Sequence, residues 1–212
     1  MKKLSTYLFL ILFSFSAPSF ADDIQDLEIE RISIGDNLLD HFNIAKIQRA
    51  KIQAKALDLN IKSISKFETV FFEELKFKTY DQIVIFFKDY DKRFKSDANL
   101  EIHSIGGFVY YDTNMDKCYK KQNEIDKELS KMFFLTKRYE FVQKHIADKS
   151  GKSTYKLITH DFKNGGGSHI VCTKWSKEMN YSNFLAIYLD SKEFREWLFP
   201  GGCGDGLCYN MR

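Results

Sequence analysis

The chain has 212 residues, 44% hydrophobic and 16% aromatic, with 32 Lys and Arg against 29 Asp and Glu for a net charge of +3. A balance this close to neutral argues against nucleic acid or an anionic membrane as partner, and the length suits one compact domain or two small halves around a shared core. The 20 Phe and 11 Tyr supply core bulk and can equally line a ligand groove.

The first residues set the compartment. Lys2 and Lys3 precede an apolar run from Leu4 to Phe15, followed by Ser16-Ala17-Pro18-Ser19-Phe20-Ala21 and acidic Asp22-Asp23. A cationic start, a short apolar stretch and small residues at Ser19 and Ala21 predict a signal peptide over residues 1–21, cleaved after Ala21. The run falls short of the ~20 apolar residues that span a bilayer. Its removal leaves 30 cations against 29 acids. No later segment is long and apolar enough to cross a membrane, so the expected location is the periplasm or the extracellular space.

Residues 22–62 read as a helical entrance. Ser33 and Asp36 form a capping pair for a short helix through Leu38, Leu39 and Phe42, and Asn43 caps a second, basic helix carrying Ile44, Ile47, Ile52 and Leu57. The basic face is read as solvated. Ile34-Gly35-Asp36-Asn37-Leu38 is similar to the nucleophile block of secreted Gly-Asp-Ser-Leu esterases, but Asn37 has no hydroxyl to activate and no late Asp-x-x-His supplies a base. That activity is rejected.

Residues 67–74, 82–88 and 101–111 are rich in Val, Ile, Phe and Tyr and predict three strands. Gly106-Gly107 marks a bulge or a close backbone approach, and His103 is read as a surface residue of the strand edge. From Cys118 to Ile146, apolar positions at Cys118, Ile125, Leu129, Met132, Phe133, Tyr139, Val142 and Ile146 recur at helical spacing among charged residues. They predict a central amphipathic helix over about 118–146. Gly151-Lys152-Ser153 ends like a phosphate-binding loop, but Ile146 stands where that motif needs glycine and the order is helix first, strand second. It is read as a turn.

Residues 154–162, 168–175 and 184–189 predict a second set of strands, and Asn164-Gly165 between the first two is a hairpin signal. A turn centred there would set His160 opposite His169, a candidate pair for a shared metal or a joint titration near neutral pH. No third ligand is evident in this stretch, so no metal or cofactor is expected. Asp190 with Glu193 reads as the capping pair of a last helix through Phe194, Trp197 and Phe199. Trp175, Phe194 and Trp197 read as core, with a ligand platform as the other use.

All four cysteines, Cys118, Cys172, Cys203 and Cys208, follow the signal peptide, in a compartment where disulfides persist. Of the three pairings, the preferred one joins Cys118 to Cys172 and Cys203 to Cys208. A four-cysteine metal site fits the spacing poorly, and the Cys-x-x-Cys of a redox pair is absent.

The segments Ile32–Asp40, Cys118–Gln122, Asp148–Tyr155 and Trp175–Met179 together resemble a group of secreted proteins from marine alphaproteobacteria of the Pelagibacter type. The resemblance runs to about Leu198 and leaves the Cys203–Arg212 tail outside it. It implies export in a Gram-negative cell and brings no activity or site residue with it.

The expected fold is a single secreted α+β domain over residues 22–212, with two sub-halves joined near 112–153, about six mainly antiparallel strands and helices packed on the sheet. The expected function is a non-enzymatic periplasmic binding or envelope-associated module using an aromatic-lined surface or a strand edge. Its partner would be an envelope protein or a small apolar ligand. The competing class is a hydrolase of an envelope or extracellular polymer, for which no spacing nominates a carboxylate pair.

Overall fold

The computed structural model describes residues 23–56, 66–73, 77–90, 95, 97–133 and 136–199. The signal segment, its cleavage point at Ala21, and Cys203 and Cys208 lie outside the described residues. The fold is α+β.

The entrance packs as a small apolar wedge. A two-stranded ribbon of β1 (Glu28–Ile29) and β2 (Ile32–Ser33) leads into α1 (Leu38–His41) and α2 (Ile44–Ala56). Ile24, Leu27, Ile29, Ile32, Ile34 and Leu38 are all buried. The cap of α1 is Asn37 rather than Ser33: its Oδ1 accepts from the Leu39 amide, while Asp36 Oδ2 reaches back to the Ser33 amide. Asn37 also accepts from the Leu100 amide and donates to the Ala98 carbonyl. The position that an esterase would need for its nucleophile therefore braces the helix against the sheet. Asn43 accepts from the Lys46 amide, as its place ahead of α2 predicts.

The main sheet has seven antiparallel strands in the order β3-β4-β5-β9-β8-β7-β6. They are β3 (Glu68–Phe72), β4 (Gln82–Asp89), β5 (Leu100–Asp112), β6 (Lys137–Lys144), β7 (Thr154–Asp161), β8 (Gly167–Lys174) and β9 (Asn183–Asp190). Six of these coincide with the predicted strands. Because β5 ladders to β9, the two predicted strand sets form one continuous sheet.

The seventh strand corrects the central helix. Helix α3 spans Met115–Met132, capped by Asn114 Oδ1 on the Lys117 amide, and residues 137–144 are strand β6 rather than its continuation. The turn at 146–153 therefore joins two strands. Asp148 organises it, accepting from the amides of Ser150 and Ser153 and from the Ser153 hydroxyl. These bonds hold its carboxyl far below the usual range.

Helix α3 covers one face of the sheet. Cys118 and Cys172 are joined, and one turn later Gln122 Nε2 donates to the carbonyls of Lys156 and Ile170. Ile158, Ile170, Leu185, Leu189 and Ile105 form the floor beneath. On the opposite face, α4 (Lys192–Leu198) packs Phe194 against Phe67 and Phe86 near the β3–β4 edge. Its N-cap is Ser191, whose hydroxyl accepts from the Phe194 amide. Asp190, the predicted cap, is turned into the sheet instead.

Gly106 and Gly107 are sites of close approach. A Cβ on Gly106 would lie 2.5 Å from the Tyr188 ring, and one on Gly107 would lie 2.5 Å from the Tyr80 ring. Successive residues of a strand face opposite sides, so each glycine receives a ring on its own face. The bulge lies further back, at the register shift that pairs Phe86 with Ser104 and Phe87 with Ile102 and leaves His103 between them.

Candidate functional site

The ladder registers sort the side chains of the α4 face into rows. One row runs Tyr139, Thr159, His169, Tyr188, Gly106 across β6, β7, β8, β9 and β5. The next runs Phe141, Leu157, Val171, Ala186, Phe108, and the third Gln143, Tyr155, Thr173, Phe184, Tyr110. Leu157 and Ala186 form a fully buried floor, flanked by half-exposed Phe141, Val171, Phe108 and Phe184. Phe184 meets Phe108 edge-on at 5.5 Å, and the Tyr110 hydroxyl is held by Gln82. At the β9 and β5 end of the first two rows Tyr188 and Phe108 pack against the cluster that holds Phe194 of α4.

At the end of the rows Trp175 stands between His145, 4.2 Å away, and Tyr181, 5.1 Å away. Tyr181 is 62% exposed. The Trp175 amide is anchored by Asn183 Oδ1, and the Ser176 amide by Ser153 Oγ. The rings stand on fixed backbone, and their placement costs a ligand little ordering entropy. Of the three core-or-platform aromatics, Phe194 is buried under α4, Trp197 packs on Phe67, and Trp175 stands at the open end.

His160 and His169 do not face each other. The register sets His169 against Thr159 and His160 against Ser168, so the two rings occupy opposite faces. The cause is the loop. Phe162 and Gly166 close it with hydrogen bonds from the Phe162 amide to the Gly166 carbonyl and from the Gly165 amide to the Phe162 carbonyl. Gly165 adopts φ +90°, a conformation open to glycine. The loop is longer than a two-residue Asn-Gly turn, and the pairing shifts by one.

Each histidine has its own buried carboxylate. His160 Nε2 lies 2.9 Å from Asp126 Oδ1 of α3, and Arg138 of β6 clasps both oxygens of that carboxylate at 2.8 and 2.9 Å. Burial lowers the pKa of His160 despite Asp126, favouring the neutral ring. Burial acts to raise Asp126, but the bonds from Arg138 and His160 outweigh it and hold the carboxyl below its usual range. On the other face His169 Nε2 lies 3.0 Å from Asp190 Oδ2, and Nδ1 is 2.9 Å from Thr159 Oγ1. Asp190 also accepts from Ser104 Oγ at 2.5 Å. Beside it, Arg195 of α4 donates to Asp161 and to the carbonyls of Gly165 and Gly166.

These carboxylates hold Arg138, Arg195, His160 and His169, which makes them ties between elements. His103 is also internal: it is 5% exposed, at the bulge, with Nδ1 3.1 Å from Ser191 Oγ and its ring against Phe67. The bulge turns it inward, so it is not a surface residue of the strand. The rows on the α4 face were missed in the sequence because they depend on register across five strands, and no single segment carries them.

No known protein family, curated protein or solved structure matches this chain. Among the described residues no helix is long and apolar enough to cross a membrane.

Proposed function

We propose that the protein is an exported, non-enzymatic binding module whose ligand surface is the aromatic part of the α4 face, from Tyr139 and Phe141 across to Phe184 and Tyr110, with Trp175 and Tyr181 at its end. One observation carries this reading. Half-exposed Phe141, Val171, Phe108 and Phe184 lie in adjacent register over a fully buried floor, and contiguous apolar surface of this kind marks interaction sites. The ligand class is apolar or aromatic, a small molecule or a side-chain cluster of an envelope protein. Acidic groups beside this surface are engaged, Asp161 and Asp190 by Arg195 and His169, and Asp81 by the Tyr110 amide. The signal segment and the Cys118–Cys172 bridge support a location outside the cytoplasm.

The test uses the oxidised protein carrying Trp197→Phe, which leaves Trp175 as its reporter. Titration with 1-anilinonaphthalene-8-sulfonate and with palmitate should change Trp175 emission saturably. Phe141→Ser and Val171→Ser should each weaken binding about tenfold, the size expected of a lost apolar anchor. Affinity unchanged by both substitutions, with folding intact, overturns the reading.

A further inference from the structure

We propose that the outer edge of β6 is a strand-addition site for an extended peptide with an apolar middle and an acidic residue toward each end. This rests on the binding reading above, since the added strand would extend the two rows begun by Tyr139 and Phe141.

Strand β6 ends the seven-stranded order and pairs along all eight residues with β7, without a bulge. It contains no Pro and no Gly. A regular edge of this length offers a row of backbone donors and acceptors, the feature that strand addition uses. Its side chains show what such a partner must carry. Arg138 is neutralised by Asp126 and Glu140, and Glu140 also meets Lys156. That leaves Lys137 and Lys144, both exposed, one at each end of the strand, and neither forms an ion pair among the described residues. Between them Val142 is 70% exposed on the α3 face, while Tyr139 and Phe141 are half-buried on the other.

An incoming antiparallel strand therefore meets a cation, then Tyr139 and Phe141 on one face with Val142 beside the Arg138–Glu140 pair on the other, and a second cation. Acidic residues opposite the two lysines and β-branched residues between them match cross-strand pairing preferences. A second copy of this chain fits less well. Antiparallel pairing of two whole β6 strands would set Lys137 of each against Lys144 of the other.

The probes are two fluorescein-labelled synthetic octapeptides, Glu-Val-Thr-Val-Thr-Val-Thr-Glu and the same sequence with Lys at both ends. Anisotropy titrations against the oxidised protein should favour the acidic peptide by about tenfold at low salt, with the gap narrowing in 0.5 M NaCl, as exposed charge pairs require. The double variant Lys137→Glu, Lys144→Glu should reverse the preference. Amide exchange along β6 should slow when the acidic peptide binds. Equal binding of both peptides, no binding, a preference unmoved by charge reversal, or a β6-mediated dimer in sedimentation each overturns the proposal. Trp175→Ala and Tyr181→Ala separate the two readings. If they abolish binding while charge reversal does nothing, the aromatic surface stands and the edge falls. If charge reversal inverts the preference while Phe141→Ser changes nothing, the edge stands and the aromatic surface falls.

Discussion

Asp126 on α3 and Arg138 on β6 are joined by two hydrogen bonds of 2.8 and 2.9 Å, and His160 completes the contact from β7. The three residues fasten the end of α3 to the outer strands. Asp126→Ala leaves an imidazole and a guanidinium without their acceptor, and should destabilise the protein by about 2–3 kcal/mol, moderated by the partial exposure of Arg138. Urea unfolding of Asp126→Ala, His160→Leu and the double variant gives the coupling. The two effects should fall short of additive by at least ~0.5 kcal/mol.

The titrating groups predict acid sensitivity in two windows. Burial lowers the pKa of His103, His145 and His160. For each, the unfolded chain takes up a proton near pH ~6.5 before the folded chain does, so stability is full above that value and falls as pH drops below it. Asp126, Glu140 and Glu193 are held low by Arg138, by Arg138 with Lys156, and by Lys88 with Lys66 respectively. Their contribution is present above the ordinary carboxylate range of about 4 and is lost as pH falls through their depressed folded values. Thermal melts from pH 8 to pH 3 should show a plateau above about 7 and two declines, and His160→Leu should shrink the first. A melting temperature that rises between pH 7 and pH 5.5 would contradict this.

The link between Cys118 and Cys172 spans a sequence separation of 54, for which loop entropy gives a stabilisation of roughly 4 kcal/mol. Reduction, or Cys118→Ala with Cys172→Ala, should lower the urea midpoint accordingly. One turn later Gln122 ties α3 to β8 and also to β7, and Gln122→Leu should cost a further ~1–2 kcal/mol, since the Lys156 and Ile170 carbonyls each lose a donor.

Gly107→Ala should destabilise by about 1–3 kcal/mol, because the new methyl lands on the Tyr80 ring and that ring must move. Pairing it with Tyr80→Leu should recover part of the loss. A neutral Gly107→Ala would show that the ring is not seated there.

Most of the sheet was legible because six strands carry dense Val, Ile, Phe and Tyr between turn residues. Strand β6 was not, and the reason is specific. Tyr139, Val142 and Ile146 continue the helical spacing of Cys118–Phe133, while Tyr139, Phe141 and Gln143 equally make an alternating strand, and an edge strand buries too little to break the tie. The structure resolves it, with alternate residues half-buried. The caps were missed by one to four residues, at Asn37 and Ser191, since Ser, Asp and Asn crowd both helix starts. The preferred Cys118–Cys172 pairing is present. The His160–His169 pairing failed on a single step of register, which three consecutive glycines leave undetermined in sequence. The polar ties of Asp126, Asp190 and Arg195 carry no motif at all, being assembled from α3, β9 and α4.

The position of β9 bears on how the protein is made. It is the last strand among the described residues, yet it lies between β5 and β8 in the middle of the sheet. The β3–β5 group and the β6–β8 group each form from neighbouring segments, and Cys118 can meet Cys172 before β9 has emerged. Until β9 arrives, β5 and β8 both present raw inner edges rich in apolar residues. The half-made chain is therefore the most aggregation-prone species on the pathway. A truncation ending before Asn183 should be captured by chaperones, whereas the complete chain should be released, its two halves sealed by the final strand.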